Sequence, residues 1–191
     1  VGVGGAVDWS PAWETILFQI RLPRVVLGGL VGMTLAIAGA VYQALFRNPL
    51  ADPYLIGVSS GASFGATLAI VLLWRFGWGG WSGISLAAFI GALLATAAIY
   101  GLARVGGRTP VTTLILAGVA LSALLSAGTV FLMFSVRDAF QAMHVLGWLM
   151  GSLVLADWEK VWTVLPYVLG GMAVIGWYVH TLNVLQLDEE Q

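Results

Sequence analysis

The stretch RLPRVVLGGLVGMTLAIAGAVYQALFRNPLADP, residues 21–53, decides how this chain is read. It opens on Arg21-Leu-Pro-Arg24 and closes on Ala44-Leu-Phe-Arg-Asn-Pro-Leu-Ala-Asp-Pro53. Between Arg24 and Arg47 there is no carboxylate, ammonium, guanidinium or imidazole. About 20 apolar residues cross the hydrocarbon core of a bilayer, so residues 25–45 are expected to form a transmembrane helix. Pro49 and Pro53 exclude its continuation and mark a turn.

The rest of the chain repeats this pattern. Of 191 residues, 60% are hydrophobic and 9% charged, where a soluble domain carries about 25%. Further charge-free stretches at about 54–74, 82–103, 111–136 and 161–179 bring the expected spans to five. Helices satisfy their own backbone polar groups in lipid, so the fold class is all-α, a polytopic transmembrane helical bundle forming a single domain. The long connection after the fourth span, about 137–156, reads as a short helix at the membrane surface. Glycines and alanines recur at four-residue spacing in Gly28/Gly32, Gly57/Gly61/Gly65 and Ala87/Gly91/Ala95, which lets helices approach closely. A glycine lining a transport path is the alternative.

Trp9, Trp13, Trp74, Trp78, Trp81, Trp148, Trp158 and Trp162 gather at the N-terminal end of the expected bundle; Tyr42, Tyr54, Tyr100 and Tyr178 gather at the other. Such belts mark the two interfaces and fit an odd number of spans. Arg21, Arg24, Arg75, Arg137 and Lys160 outnumber Arg47, Arg104 and Arg108 on the opposite side, so the positive-inside rule alone places the N-terminus in the cytoplasm.

Absences narrow the function. A net charge of −1 gives no basic nucleic-acid footprint. Lys160 is the only lysine, so no phosphate-binding Gly-Lys-Ser/Thr loop exists. His144 and His180 stand apart without a carboxylate cluster, and cysteine is absent, which leaves no metal site. No ionisable Asp, Glu, Lys, Arg or His falls inside the five spans, where coupled carriers and membrane enzymes need them. What remains is a passive path whose energy and specificity come from partners. The rivals are half of a secondary transporter and a non-transporting structural membrane fragment.

Arg21-Leu-Pro-Arg24, Gln43-Ala-Leu-Phe-Arg-Asn-Pro-Leu-Ala-Asp-Pro53 and Gly57-Val-Ser-Ser-Gly-Ala62 resemble the permease family of ABC importers for iron–siderophore, haem and vitamin B12. Leu116-Ala-Gly-Val-Ala-Leu121, Trp148-Leu-Met-Gly-Ser152 and Asn183-Val-Leu-Gln-Leu187 extend the likeness along the whole chain. The resemblance implies a non-enzymatic permease of about ten spans in a bacterial or archaeal cytoplasmic membrane, working as a homodimer or pseudo-dimer. Its partners would be ATP-binding cassette ATPase subunits, an extracytoplasmic substrate-binding protein and a second permease copy, with no cofactor. This chain would then supply the second to sixth spans, starting after the first and stopping short of most of the ATPase contact region. The Arg21 end becomes extracytoplasmic, against the arginine count.

By the same resemblance, Arg21 and Arg24 dock the binding protein's carboxylates; snorkelling to headgroups is the plainer reading. Asn48, Pro49 and Leu50 match a cytoplasmic gate, and Thr112 and Thr113 a second constriction, although these threonines could instead cap their helix. The fifth family helix lines the translocation path, which would make Ser122, Ser126 and Thr129 a mildly polar stripe along it or, equally, interhelical hydrogen-bonding groups. His144 reads as a cargo or partner contact, or simply as a solvated surface residue.

Overall fold

A computed structural model describes residues 10–73, 81–136 and 138–187. Trp9, Trp74, Trp78, Arg75 and Arg137, used above to judge sidedness, lie outside the described residues. The described residues form α1 (Pro11–Thr15), α2 (Leu22–Phe46), α3 (Val58–Leu73), α4 (Trp81–Ala103), α5 (Val111–Ser135), α6 (Ala139–Met150) and α7 (Trp158–Leu187). A π turn, Ile16–Arg21, joins α1 to α2, and a 3-10 turn, Pro53–Ile56, precedes α3.

The first expectation to change is the start of the first span. The helix does not begin beside Arg24: Pro11–Phe46 is one helical run of 36 residues. At about 1.5 Å per residue it is about 54 Å long, well beyond a hydrocarbon core of about 30 Å. Pro23 sits inside this run. Proline lacks an N–H and crowds the carbonyl four residues back. The run widens just before it, where the Leu22 N–H bonds the Leu17 carbonyl, five residues back.

The third helix also starts later than residue 54. Asp52 caps the 3-10 turn by accepting the Tyr54 N–H at 2.7 Å, and α3 proper begins at Val58. Its 16 residues make it the shortest of the expected spans, and also the most enclosed. Gly61, Gly65, Ala66, Thr67, Ala69 and Ile70 are all buried.

Two of the glycine repeats meet each other. A Cβ at Gly61 would stand 2.5 Å from the Ala95 Cβ and 2.6 Å from the Gly91 carbonyl oxygen, and Gly65 lies against Ala87. The α3 and α4 backbones therefore touch, which supplies van der Waals packing where lipid offers no hydrophobic drive between helices. Phe64 of α3 fills the space left by Gly128 of α5.

Helix α6 is shorter than the 137–156 read from sequence. Asp138 caps it, accepting the Phe140 N–H at 3.0 Å, and Gly151 ends it at φ +65°, a conformation glycine adopts freely. Most of it is exposed, and one side packs on the bundle. Val145 is fully buried in a cluster with Ala66, Ile70, Ile84 and Ala88, and the Gln141 Nε2 donates to the Ile70 carbonyl at 2.6 Å. A second cluster, Leu27, Ala156 and Val161, joins α2 to α7.

Candidate functional site

The candidate residues fall at the two ends of α2. At the first, Arg21 closes the π turn, exposed, beside a pocket of about 390 Å³ lined with Trp13, Ile16 and Leu17. Arg24, one turn on, is half-buried and engaged. Its Nε donates to the Leu153 carbonyl at 3.0 Å and its Nη2 to the Val154 carbonyl at 2.6 Å. The widened turn adds a second tie. In an α-helical register the Phe18 carbonyl would take the Leu22 N–H; released from it, this oxygen accepts Trp158 Nε1 at 2.9 Å.

The turn between α6 and α7 is thus sewn to α2. Asp157 caps α7 by accepting the Lys160 N–H at 2.9 Å and pairs with the Lys160 ammonium, which lies 5.3 Å from the centre of the Trp81 ring. Partial burial pushes the Asp157 carboxyl upward. Hydrogen bonds and charge from Lys160 outweigh this and hold it below the ordinary carboxylate value. His144 is exposed, edge-on to Phe140 with ring centres 4.8 Å apart.

At the other end, α2 stops on Arg47 at φ 49°, ψ 37°, the left-handed region. The Asn48 N–H bonds the Gln43 carbonyl at 3.2 Å, a Schellman-type closure achieved here without glycine. The Asn48 Oδ1 then accepts the Leu50 N–H at 2.9 Å across Pro49, and Asp52 repeats the device across Pro53. These successive Asx turns lift Leu50 to the tip, 85% exposed.

Behind them Gly57 stands at φ +66°, where a Cβ would meet the Ile99 Cδ1 at 2.6 Å and the Ser122 Oγ at 3.1 Å. Ser122 lies eleven residues past Val111, about 16 Å along α5. The start of α3 is therefore recessed relative to that of α5.

The remaining candidates separate. Thr112 is exposed and Thr113 half-buried in the first turn of α5, whose N-cap is Pro110, with no side-chain cap bond. Ser122 is half-buried against Gly57, and Thr129 is buried, donating to the Leu125 carbonyl at 2.9 Å. Ser126 between them is exposed. Among the described residues no group of His, Asp and Glu is placed to hold a metal. Sequence reading missed the Arg24, Trp158 and Gln141 contacts; a tryptophan or glutamine in an apolar setting signals only that some acceptor is needed.

Comparison with known proteins points one way. Residues 5–191 match the model of the FecCD transport family. A cobalamin import system permease protein of Halobacterium salinarum is 47% identical over 93% of this chain and 46% of its own length. A vitamin B12 import system permease protein of Salmonella paratyphi A is 38% identical over 95% of this chain and 54% of its own. The chain thus spans about half the length of these curated relatives. A solved structure described as an inward-facing metal-chelate type ABC transporter superposes with a TM-score of 0.79 at 33% identity, covering 97% of this chain and 58% of that one. With four helices among the described residues long and apolar enough to cross a bilayer, the chain is part of a multi-pass membrane protein.

Proposed function

Because this chain belongs to the FecCD transport family, we propose that it forms the translocation path of a binding-protein-dependent ABC importer for an iron chelate or cobalamin. The observation that carries this reading is α2. It joins an exposed arginine at one end to an exposed leucine on a braced turn at the other, with no ionisable carboxylate, amine or imidazole between Arg24 and Arg47. Such a helix does no chemistry and couples no ion; it connects a docking point to a gate.

In this scheme the Arg21 end faces away from the cytoplasm and receives the binding protein, whose carboxylates a guanidinium orients by charge-assisted, bidentate bonding. The Asn48 end faces the cytoplasm. There Leu50 from each of two permease copies closes the path by dewetting, with Asn48 and Pro49 fixing the leucine and Thr112 and Thr113 forming a second constriction. Ser126 faces the path, while Ser122 and Thr129 seat α5 against its neighbours. ATP hydrolysis by a partner subunit on the cytoplasmic side powers the change of access in a bacterial or archaeal inner membrane.

The test is reconstitution of the intact transporter with its ATPase and binding protein. ATP hydrolysis should be stimulated by one member of a panel of ferric siderophores, haem and cobalamin. Hydrolysis indifferent to every member, with no uptake into vesicles, would overturn the proposal.

A further inference from the structure

The two arginines that open the charge-free span share a motif but not a surrounding. Among the described residues nothing engages the Arg21 guanidinium, which stands exposed at the end of the π turn. Arg24 spends two donors on consecutive carbonyls, Leu153 and Val154, roughly 130 residues away in sequence. The turn carrying those carbonyls is seated by further contacts. The Leu153 Cδ1 lies 3.4 Å from the Cβ position of Gly28, Ala156 packs with Leu27 and Val161, and Trp158 bonds the freed Phe18 carbonyl. Together these join the π turn and the start of α2 to the segment 153–161.

From this we infer that the arginines divide their labour. Arg24 is a positioning residue that clasps the α6–α7 turn to α2, and Arg21 is the docking cation of the pair. The inference rests on the proposal that this end receives a binding protein. Its chemistry is that of the donor set. A guanidinium carries five donors in a fixed fork, and two consecutive carbonyls held at 3.0 and 2.6 Å occupy one edge of it. A docking carboxylate binds such an edge in bidentate fashion; Arg21 keeps both of its edges open, Arg24 only the Nη1–Nη2 one. The clasp fixes the height of a turn whose Val154 and Leu155 are exposed. Arg24 thereby sets the shape of the surface that Arg21 supplies with charge.

The experiment uses the intact transporter in nanodiscs, cleared of native cysteines, with a nitroxide on Val154→Cys. Arg24→Gln should convert an immobile label into a mobile one before any partner is added. Trp158→Phe should do so in part, and Arg21→Gln should leave the line shape unchanged. Arg24→Lys, which keeps the charge but not the fork, should restore immobility only partly. In binding-protein titrations, Arg21→Gln should weaken docking about tenfold and flatten its salt dependence. Arg24→Gln should weaken it less and keep the salt slope.

An unchanged label in both Arg24→Gln and Trp158→Phe overturns the clasp. So does an Arg24→Gln that flattens the salt slope as fully as Arg21→Gln. If neither arginine affects docking, the docking proposal fails and Arg21 loses its role, while the label still decides whether Arg24 holds the turn.

Discussion

The two ends of the bundle are held in different ways. At the Arg21 end, beside local caps such as Asp138 to Phe140 and Asp157 to Lys160, there are long-range side-chain bonds: Arg24 to residues 153 and 154, Trp158 to Phe18, Gln141 to Ile70. At the Asn48 end three bonds among the described residues close within three positions: Asn48 to Leu50, Asp52 to Tyr54, Ser60 to Gly57. The neighbouring turn there, Val105 to Arg108, is likewise closed by its own backbone at 2.9 and 3.1 Å. Long-range bonds make neighbouring helices move together. Local bonds make each turn stiff from within. For the proposed gate the internally stiffened turn matters, because a stiff turn moves as a unit. For the proposed docking platform the long-range bonds matter.

The comparison depends on which end faces out, and the largest effect tests that. Single cysteines at Val154 and Arg104 should differ completely toward an impermeant thiol reagent on intact cells, with only the Val154 site labelled. Labelling confined to Arg104 would exchange the two ends.

Next in size is the scaffold both ends share. Gly61→Val drives a side chain into Ala95 and the Gly91 carbonyl, and overpacking against backbone costs about 3 kcal/mol. The thermal midpoint in detergent should fall steeply. A variant as stable as the parent would show that α3 and α4 are not in backbone contact.

Smaller is the effect of Asp52→Ala, which removes the acceptor bracing the 3-10 turn and should cost about 1 kcal/mol. Cysteine cross-linking at position 50 should become less selective, while a label on Val154 stays unchanged. A response at both ends would erase the distinction between local and long-range bracing.

The smallest effect is that of Asp157→Asn, which keeps the cap and removes the charge. The pair is partly solvated, so the loss should be about 0.5 kcal/mol. Because the folded carboxyl lies below its unfolded value, its contribution is full at neutral pH and lost as pH falls through the folded value. Parent and variant midpoints should therefore differ by a constant amount from about pH 8 to pH 5 and converge only below about pH 4. A gap that closes near pH 6 instead would show that another group governs this turn.

Much of this was legible residue by residue. Asn-Pro and Asp-Pro announce their turns because the acceptor and the N–H it serves lie two positions apart. The glycine spacing announced close packing, but not that Gly61 and Gly65 face Gly91 and Ala87 while Gly32 and Gly147 face open space. The helical run from Pro11 through Pro23 was missed because proline next to charge reads as a boundary. A widened turn, with the released carbonyl taken up by a tryptophan far along the chain, lets the helix pass through it.

By itself, then, the sequence determined the properties that act over a few residues. These are a chain too apolar for water, the order of its apolar helices, the braced turns, and the lack of ionisable carboxylates, amines or imidazoles between Arg24 and Arg47. Only the tertiary structure decided that Arg24 holds the α6–α7 turn while Arg21 stays open, and that α3 starts deep beside Ser122. The reason is physical. A guanidinium announces its donors in the sequence, but every residue offers a carbonyl, and only the fold brings one of them within 3 Å.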